Sequence, residues 1–128
     1  MTPKEIGDFG EQIAAKFLIS KGFEIIAEKY HSRYGEIDLI AVNSEYLVFA
    51  EVKTRKSARY GAAGGAVTLK KQEKLRITAE QWLQEHQEIL LQPRFDVIEV
   101  YTEMPSNFEK NKNIKAKIPG VRWIQNAF

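Results

Sequence analysis

The sequence predicts an α/β fold in which a central mixed sheet is flanked by helices, with elements in the order α-β-β-β-α-β. Two stretches have apolar side chains at helical spacing, and three segments between them have the composition of strands. The second and third of these segments are joined by the turn-prone Asn43-Ser44, which favours an antiparallel hairpin. The chain has 128 residues, and we expect a single domain over residues 1–128.

The first helix is predicted from residue 3 to about residue 21. Thr2 is suited to cap its start, Pro3 to occupy its first turn, and Glu5 to complete a capping box. Gly22 is a natural stop after the last turn. One face of this helix is expected to pack on the sheet, because helical spacing brings together five apolar side chains: Ile6, Phe9, Ile13, Phe17 and Leu18.

Strands are predicted at residues 23–29, 36–42 and 46–54. Residues 55–67 contain three glycines among small and basic side chains, so they are predicted to form a mobile loop. Thr68 can cap a second helix that runs to about His86, and residues 94–101 follow as another strand. Residues 103–120 are polar and predict a long loop, after which residues 121–124 offer a short final strand.

Several classes of protein are excluded by composition. The chain has no cysteine, which rules out disulfides, thiolate zinc sites and cysteine nucleophiles. Neither a signal-like N-terminus nor an apolar run of about 18 residues is present, so the expected location is the cytoplasm and no membrane association is expected.

Positive charge is concentrated in one part of the chain. Residues 53–76 contain eight Lys or Arg side chains and one acidic side chain, a net charge of +7, whereas the whole chain carries only +2. This distribution is typical of a protein with a polyanion partner. An ordinary solvated charged face fits the same pattern, and charge alone does not choose between the two interpretations.

Charged side chains interrupt two neighbouring strands that are otherwise apolar. Alternate residues of a strand share a face, so Glu36 and Asp38 point together, as do Glu51 and Lys53 on the next strand. If the hairpin pairs as predicted, carboxylates lie side by side and resist ionisation unless a cation separates them. A hard divalent cation such as Mg²⁺, bound by carboxylate and carbonyl oxygens, resolves that conflict.

Each of these side chains taken alone also fits a cross-strand ion pair on a solvated face. The combination favours a phosphate site, because both strands lose their apolar alternation at the same level. In addition, a basic segment with several glycines begins immediately after Lys53. We therefore predict a reaction centre built from Asp38, Glu51 and Lys53.

Three motifs in the chain resemble the PD-(D/E)XK nuclease superfamily: Gly10-Glu11 in the first helix, GEIDLI at residues 35–40 and FAEVKTR at residues 49–55. The closest resemblance is to the YraN-type family of endonuclease-like proteins, which is related to archaeal Holliday junction resolvases. The likeness continues through Lys71-Gln72 to residues 94–97 and implies a restriction-endonuclease-like fold. The chain departs from the namesake motif in having Ile37, rather than proline, before the aspartate.

The resemblance implies roles for individual residues. Asp38 and Glu51 are implied as metal ligands, with the Val52 carbonyl completing the protein side of the site. Lys53 is implied to orient or deprotonate the attacking water and to offset charge on the phosphate.

Three further polar residues belong to the same comparison. Glu11 matches an acidic residue that some members place near the metal, although a solvated helix residue is an equal alternative. Gln72 matches a polar position that can face the active site. Glu36 is either a ligand or a residue of the strand edge.

The resulting functional prediction is a Mg²⁺- or Mn²⁺-dependent hydrolase of DNA phosphodiester bonds. The resolvase likeness implies branched DNA as substrate and a homodimer as assembly. The alternative is a nucleic-acid-binding module of the same fold with weak or no turnover. A plain interaction domain with no polyanion partner leaves the paired acids unexplained. The candidate nucleic-acid contacts are the basic side chains Arg55, Lys56, Arg59, Lys70, Lys71 and Lys74.

Overall fold

A computed structural model of the protein describes residues 1–57, 67–103 and 120–128. These residues form a five-stranded sheet flanked by two helices, which confirms the predicted mixed α/β class and agrees with a restriction-endonuclease-like fold. The short strand predicted near the C-terminus is present. In chain order the elements are α1 (Pro3–Ser20), β1 (Glu24–His31), β2 (Glu36–Val42), β3 (Tyr46–Ser57), α2 (Leu69–Glu85), β4 (Gln92–Glu103) and β5 (Gly120–Ile124).

The strands lie in the sheet in the same order as in the chain. All neighbouring pairs are antiparallel except β3 and β4, which are parallel and therefore need a crossover connection. The helix α2 lies in that connection. The predicted β2–β3 hairpin is confirmed, with Leu39 opposite Ala50 and Val42 opposite Leu47. At the turn, the Asn43 side chain accepts hydrogen bonds from the backbone N–H groups of Glu45 and Tyr46.

The helix α1 covers one face of the sheet. Thr2 and Glu5 form the predicted capping box at its start, and Gly22 follows its end with φ of 91°, a conformation that glycine adopts without strain. The buried side of α1 includes Ala14 and Leu18, which belong to the same apolar cluster as Leu39 and Val48. Because the apolar side of α1 packs on the sheet, the polar residues of this helix lie toward the rim of the sheet.

The helix α2 covers the opposite face. Thr68 accepts a hydrogen bond from the Lys71 N–H, as its predicted capping role requires. Trp82 of α2 packs edge-to-face against Phe49 of β3, with ring centroids 5.9 Å apart. The two faces of β3 thus hold different helices, so alternate residues of this strand point toward α1 and α2.

The structure corrects several predicted boundaries. β3 continues to Ser57 instead of ending at residue 54, because its parallel pairing with β4 extends to the register of Ser57 and Glu103. The predicted loop at residues 55–67 therefore begins later, and residues 58–66 lie outside the described residues. The same holds for most of the loop predicted at 103–120, of which residues 104–119 are not described. β1 is shifted by one or two residues from the predicted 23–29, and β4 is longer at both ends than the predicted 94–101.

Within the described ranges, neither helix combines the length and apolar character required to cross a bilayer.

The approach of α1 to β3 depends on Gly10. A Cβ at this position would lie 1.9 Å from Oγ1 of Thr54 and 3.0 Å from its Cβ. Gly7, one turn earlier on the same helix, has no atom within 4 Å of the corresponding position. The absence of a side chain at residue 10 therefore sets the distance between α1 and the sheet, and with it the position of the next residue, Glu11.

These two glycines give a matched pair of substitutions. Gly10→Ala is expected to lower the free energy of unfolding by about 1–3 kcal/mol, the usual range for overpacking. Gly7→Ala should raise it by up to about 1 kcal/mol, because alanine is the better helix former. Urea unfolding followed by tryptophan fluorescence measures both. Thr54→Ala should restore part of the loss in Gly10→Ala, and equal effects of the two glycine substitutions would contradict the close-approach explanation.

Candidate metal and nucleic-acid site

A pocket of about 580 Å³ lies between the N-terminal half of α1 and the sheet, where it is lined by β1, the start of β2 and the middle of β3. Its lining is dominated by charged side chains, which is unusual for a concave surface between a helix and a sheet. The lining includes residues of all three predicted motifs. Glu11 comes from the helix motif, Glu36 and Asp38 come from the first strand motif, and Glu51 comes from the second strand motif. The acidic members of the lining are Asp8, Glu11, Glu36, Asp38 and Glu51.

Asp38 is the central residue of the pocket. Its Oδ2 accepts a hydrogen bond of 2.8 Å from the backbone N–H of Val52, which ties β2 to β3 beyond their last paired residues. Burial is the main cause that raises the pKa of Asp38, from 3.8 to about 7. The negative charges of Glu51, Glu11 and Glu36 raise the pKa of Asp38 further, whereas the Val52 hydrogen bond lowers it.

Three carboxylates of the pocket converge. One oxygen each from Glu11, Glu36 and Asp38 can be chosen so that all three lie within 4.8 Å of one another. Carboxylate oxygens at such separations are suited to a hard divalent cation, which coordinates oxygen ligands and also cancels their mutual repulsion. Glu36, whose role the sequence left open, therefore lies with the candidate ligands.

Glu51 lines the same pocket but has a protein partner. Its Oε1 accepts a hydrogen bond of 2.7 Å from Nζ of Lys71, which reaches across from α2. The Glu51 side chain is only 8% exposed, so this ion pair offsets the loss of hydration of a nearly buried carboxylate. Lys71 was predicted as a nucleic-acid contact, and the structure places its ammonium group beside the carboxylates instead of apart from them.

Lys29 is a residue of the pocket that was not predicted from the sequence. This residue lies in β1 between residues paired with Ile37 and Leu39, and it adopts φ of 51°, in the left-handed region that non-glycine residues rarely occupy. Its Nζ donates hydrogen bonds to Asp8 and Glu11 of α1, and these acceptors raise the pKa of Lys29 above its usual range. No sequence signal indicates this conformation, because lysine is not among the residue types that favour the left-handed region.

Of the other predicted residues of the reaction centre, Val52 is in the described lining of the pocket, whereas Lys53 and Gln72 are not. Lys53 shares the alternate face of β3 with Glu51. Gln72 donates a hydrogen bond of 2.9 Å from Nε2 to the carbonyl of Val67, at the start of α2. The structure thus brings together Glu11, Asp38, Glu51 and Val52, but not Gln72.

The predicted nucleic-acid contacts separate into two groups. Arg55 donates from Nε to the buried carboxylate of Glu99 at 2.8 Å, so its guanidinium is held against β4. Lys56 is exposed, and Arg59 lies outside the described residues. The other group, Lys70, Lys71 and Lys74, lines a second concavity beside the acidic pocket, at the N-terminal end of α2.

Two buried acids in the described residues, Asp96 and Glu99, show how the partly buried Asp38 differs. Asp96 is fully buried and accepts two hydrogen bonds from Arg94, and Glu99 is buried against Arg55. Asp38 has one backbone N–H as a partner and three acidic neighbours. The fold thus neutralises its structural acids with arginine but leaves Asp38 among like charges, which is typical of a functional site.

Comparisons with known proteins identify relatives over most of the chain. Residues 10–100 match the family described as "Uncharacterised protein family UPF0102". A UPF0102 protein of Caldicellulosiruptor saccharolyticus is 36% identical over 128 residues, covering 100% of both chains. A UPF0102 protein of Rhodococcus opacus is 45% identical over 95 residues, covering 74% of this chain and 80% of that protein. The matched range contains all the acids of the pocket except Asp8.

The raised pKa of Asp38 predicts how the free energy of unfolding changes with pH. Between pH 3.8 and about 7 the folded protein binds more protons at Asp38 than the unfolded chain does, so this residue lowers the free energy of unfolding as the pH rises through that window. Asp38→Asn retains an oxygen acceptor for the Val52 N–H but carries no charge. In EDTA at pH 8, Asp38→Asn should therefore be more stable than the wild type, with a smaller difference at pH 4.

Urea unfolding of both proteins across this pH range measures the difference directly. Glu24→Gln, at an exposed position outside the pocket, is the control and should follow the wild type. If the free energies of unfolding of the wild type and Asp38→Asn changed with pH in parallel, the raised pKa of the Asp38 carboxyl group would be contradicted.

Proposed function

This chain belongs to the UPF0102 family, and we propose that it is a Mg²⁺-dependent endonuclease-like protein that hydrolyses DNA phosphodiester bonds. The observation that carries the proposal is the acidic pocket. It holds several carboxylates around an Asp38 that has no positively charged partner among the described residues. An arrangement that is unfavourable for the protein alone becomes favourable with a divalent cation.

The donor set supports a hard cation. Apart from the Thr54 hydroxyl, the side-chain oxygens that line the pocket belong to carboxylates; the chain has no cysteine, and neither of its two histidines lines the pocket. Mg²⁺ and Mn²⁺ favour such oxygen ligands, whereas zinc sites in proteins are usually built from cysteine and histidine. Asp38 and Glu51, with the Val52 carbonyl, are the proposed ligands. Glu11 and Glu36 supply further carboxylates beside Asp38 in the pocket.

A bound divalent cation lowers the pKa of a coordinated water and stabilises negative charge on a phosphodiester. The protein side of the reaction then has three tasks. Lys53, on the same face of β3 as Glu51, is proposed to orient the attacking water or to accept its proton. Lys71 holds Oε1 of Glu51 and leaves the other oxygen of that carboxylate for a further contact. Glu11 links the pocket to Lys29 and through it to Asp8.

Membership of the PD-(D/E)XK superfamily is part of the same proposal. Its support is the element order together with the presence of Asp38 of β2 and Glu51 of β3 in one pocket. The likeness to archaeal Holliday junction resolvases further suggests branched DNA as the substrate.

A nucleic-acid-binding module without turnover is the second candidate. The observation that favours it is the ion pair between Lys71 and Glu51, which satisfies one proposed ligand without any metal. The two candidates differ in what divalent cations do. An endonuclease needs the cation for cleavage, whereas a binding module gains affinity from its lysines alone.

Metal binding and cleavage can be separated with three variants. Asp38→Asn and Glu51→Gln each remove a proposed ligand, so each should weaken Mg²⁺ or Mn²⁺ binding at least about tenfold and abolish cleavage. Lys53→Ala should retain metal binding, because a nearby positive charge is removed, but lose cleavage. Calorimetry measures binding, and a panel of linear, flapped and four-way junction DNAs measures cleavage at equal ionic strength.

Glu24→Gln is the matched control for loss of a surface carboxylate and should behave like the wild type. Metal binding that is lost equally in all three variants would make Lys53 a structural part of the pocket. Tight DNA binding by a wild type that takes up no divalent cation and cleaves nothing would favour the binding module.

A further inference from the structure

A second concavity, of about 440 Å³, adjoins the acidic pocket on the side of α2. We call it the lysine groove. Glu36 lines both concavities, and Lys71 of the groove is paired with Glu51 of the pocket, so the two share a wall. The residues that line the groove include Tyr34, Glu36, Lys70, Lys71 and Lys74.

The turn between β1 and β2 forms one side of the lysine groove and is held in a single arrangement. The N–H of Ser32 donates to the carbonyl of Gly35, and the Ser32 hydroxyl accepts from the N–H groups of Tyr34 and Gly35. The same hydroxyl lies 2.7 Å from Oγ1 of Thr78, a fully buried residue of α2. This turn is therefore fixed to the helix that supplies the lysines.

The fixed turn displays an aromatic ring that packs against no core. Tyr34 is 49% exposed although its backbone is hydrogen bonded, and the guanidinium of Arg33 lies 5.7 Å from its ring centroid. Both apolar clusters of the sheet lack Tyr34, so its ring is not needed to fill the described core. An aromatic ring with an adjacent guanidinium on a rigid turn is suited to stacking on a flat π system.

The charges of the groove complement an anion. Lys70 and Lys74 are exposed, and Lys71 is shared with Glu51. The described lining contains three ammonium groups and one carboxylate, that of Glu36. A ligand with a flat ring and a flanking negative charge fits these features, and an unpaired nucleotide has both. A base inside a duplex offers no free face to Tyr34, because both of its faces are stacked on neighbours.

We propose that the lysine groove binds an unpaired nucleotide of a DNA strand, with its base stacked on Tyr34 and its phosphates near Lys70 and Lys74. The proposal rests on the proposed function, because it extends the substrate of the acidic pocket across the shared wall. It identifies the substrate class as DNA with a single-stranded segment next to the phosphodiester to be cleaved. Recognition by stacking is independent of base sequence, since every base presents a π face.

The test uses a fluorescein-labelled oligodeoxythymidylate and a blunt duplex of equal length, with binding measured by anisotropy in EDTA. Tyr34→Ala should weaken binding of the single strand by about five- to a hundredfold, the range expected for one base stacked on an aromatic ring. Tyr34→Phe should retain the affinity, and Tyr34→Leu should lose it despite a similar volume. Duplex affinity should change little in all three.

The lysines provide a second, independent measurement. Lys70→Ala with Lys74→Ala should weaken single-strand binding and reduce its dependence on salt by about one to two ions, because each phosphate contact releases counterions. Lys16→Ala, on an exposed position of α1, is the matched control. Thermal unfolding of every variant shows whether it is folded. Photocrosslinking of an oligonucleotide containing 5-iodouracil should give adducts in the peptide that contains Tyr34.

Unchanged single-strand affinity in folded Tyr34→Ala would overturn the proposal, as would an equal loss for duplex and single strand or a crosslink confined to another peptide. Because these measurements are made without divalent cations, they do not depend on hydrolysis. Binding that requires Tyr34 in a protein that cleaves nothing would refute the endonuclease activity alone. Cleavage that is indifferent to Tyr34 would refute only the lysine groove as a nucleotide site.

Discussion

The crowding of negative charge around Asp38 is the constraint on which the rest of the site depends. Burial and three acidic neighbours oppose ionisation of this carboxyl group, and its one described hydrogen bond, from Val52, only partly compensates. A globular protein gains no stability from such an arrangement, because carboxylates in a low-dielectric setting repel one another. Its presence is explained if the charge is complemented by a cation during function. In this interpretation, repulsion among the carboxylates lowers the free energy of unfolding of the metal-free protein, and binding of a cation removes that repulsion.

Two lysines pair with acidic side chains of the pocket but not with Asp38 itself. Lys29 neutralises Asp8 and Glu11 on the side of α1, and Lys71 neutralises Glu51 on the side of α2. The two ammonium groups come from β1 and α2, whereas the lining of the pocket comes from α1 and the strands β1, β2 and β3. The close approach of α1, which the missing side chain at Gly10 allows, is therefore a requirement of the site as much as of the core.

The sequence was sufficient to predict the element order and the hairpin, because strong capping signals, helical periodicity and a turn-prone Asn43-Ser44 agree with one another. It also predicted that Asp38 and Glu51 lie near each other, since the hairpin register follows from the strand pattern. It did not predict Lys29, which combines a left-handed backbone with hydrogen bonds to Asp8 and Glu11 of α1. The length of β3 was also underestimated, because its last residues pair with β4, far along the chain, where Arg55 forms an ion pair with the buried Glu99. Long-range ion pairs of this kind leave no periodic signal.

The most direct test of the account is the position of a bound metal ion. Crystals of the protein grown with Mn²⁺ and measured at the manganese absorption edge would show any bound ion as an anomalous peak. The account predicts one strong peak inside the acidic pocket, coordinated by an oxygen of Asp38 and by at least one of its acidic neighbours. A peak only at other surface carboxylates, or a fully measured data set in which the pocket holds no ion at saturating Mn²⁺, would contradict it.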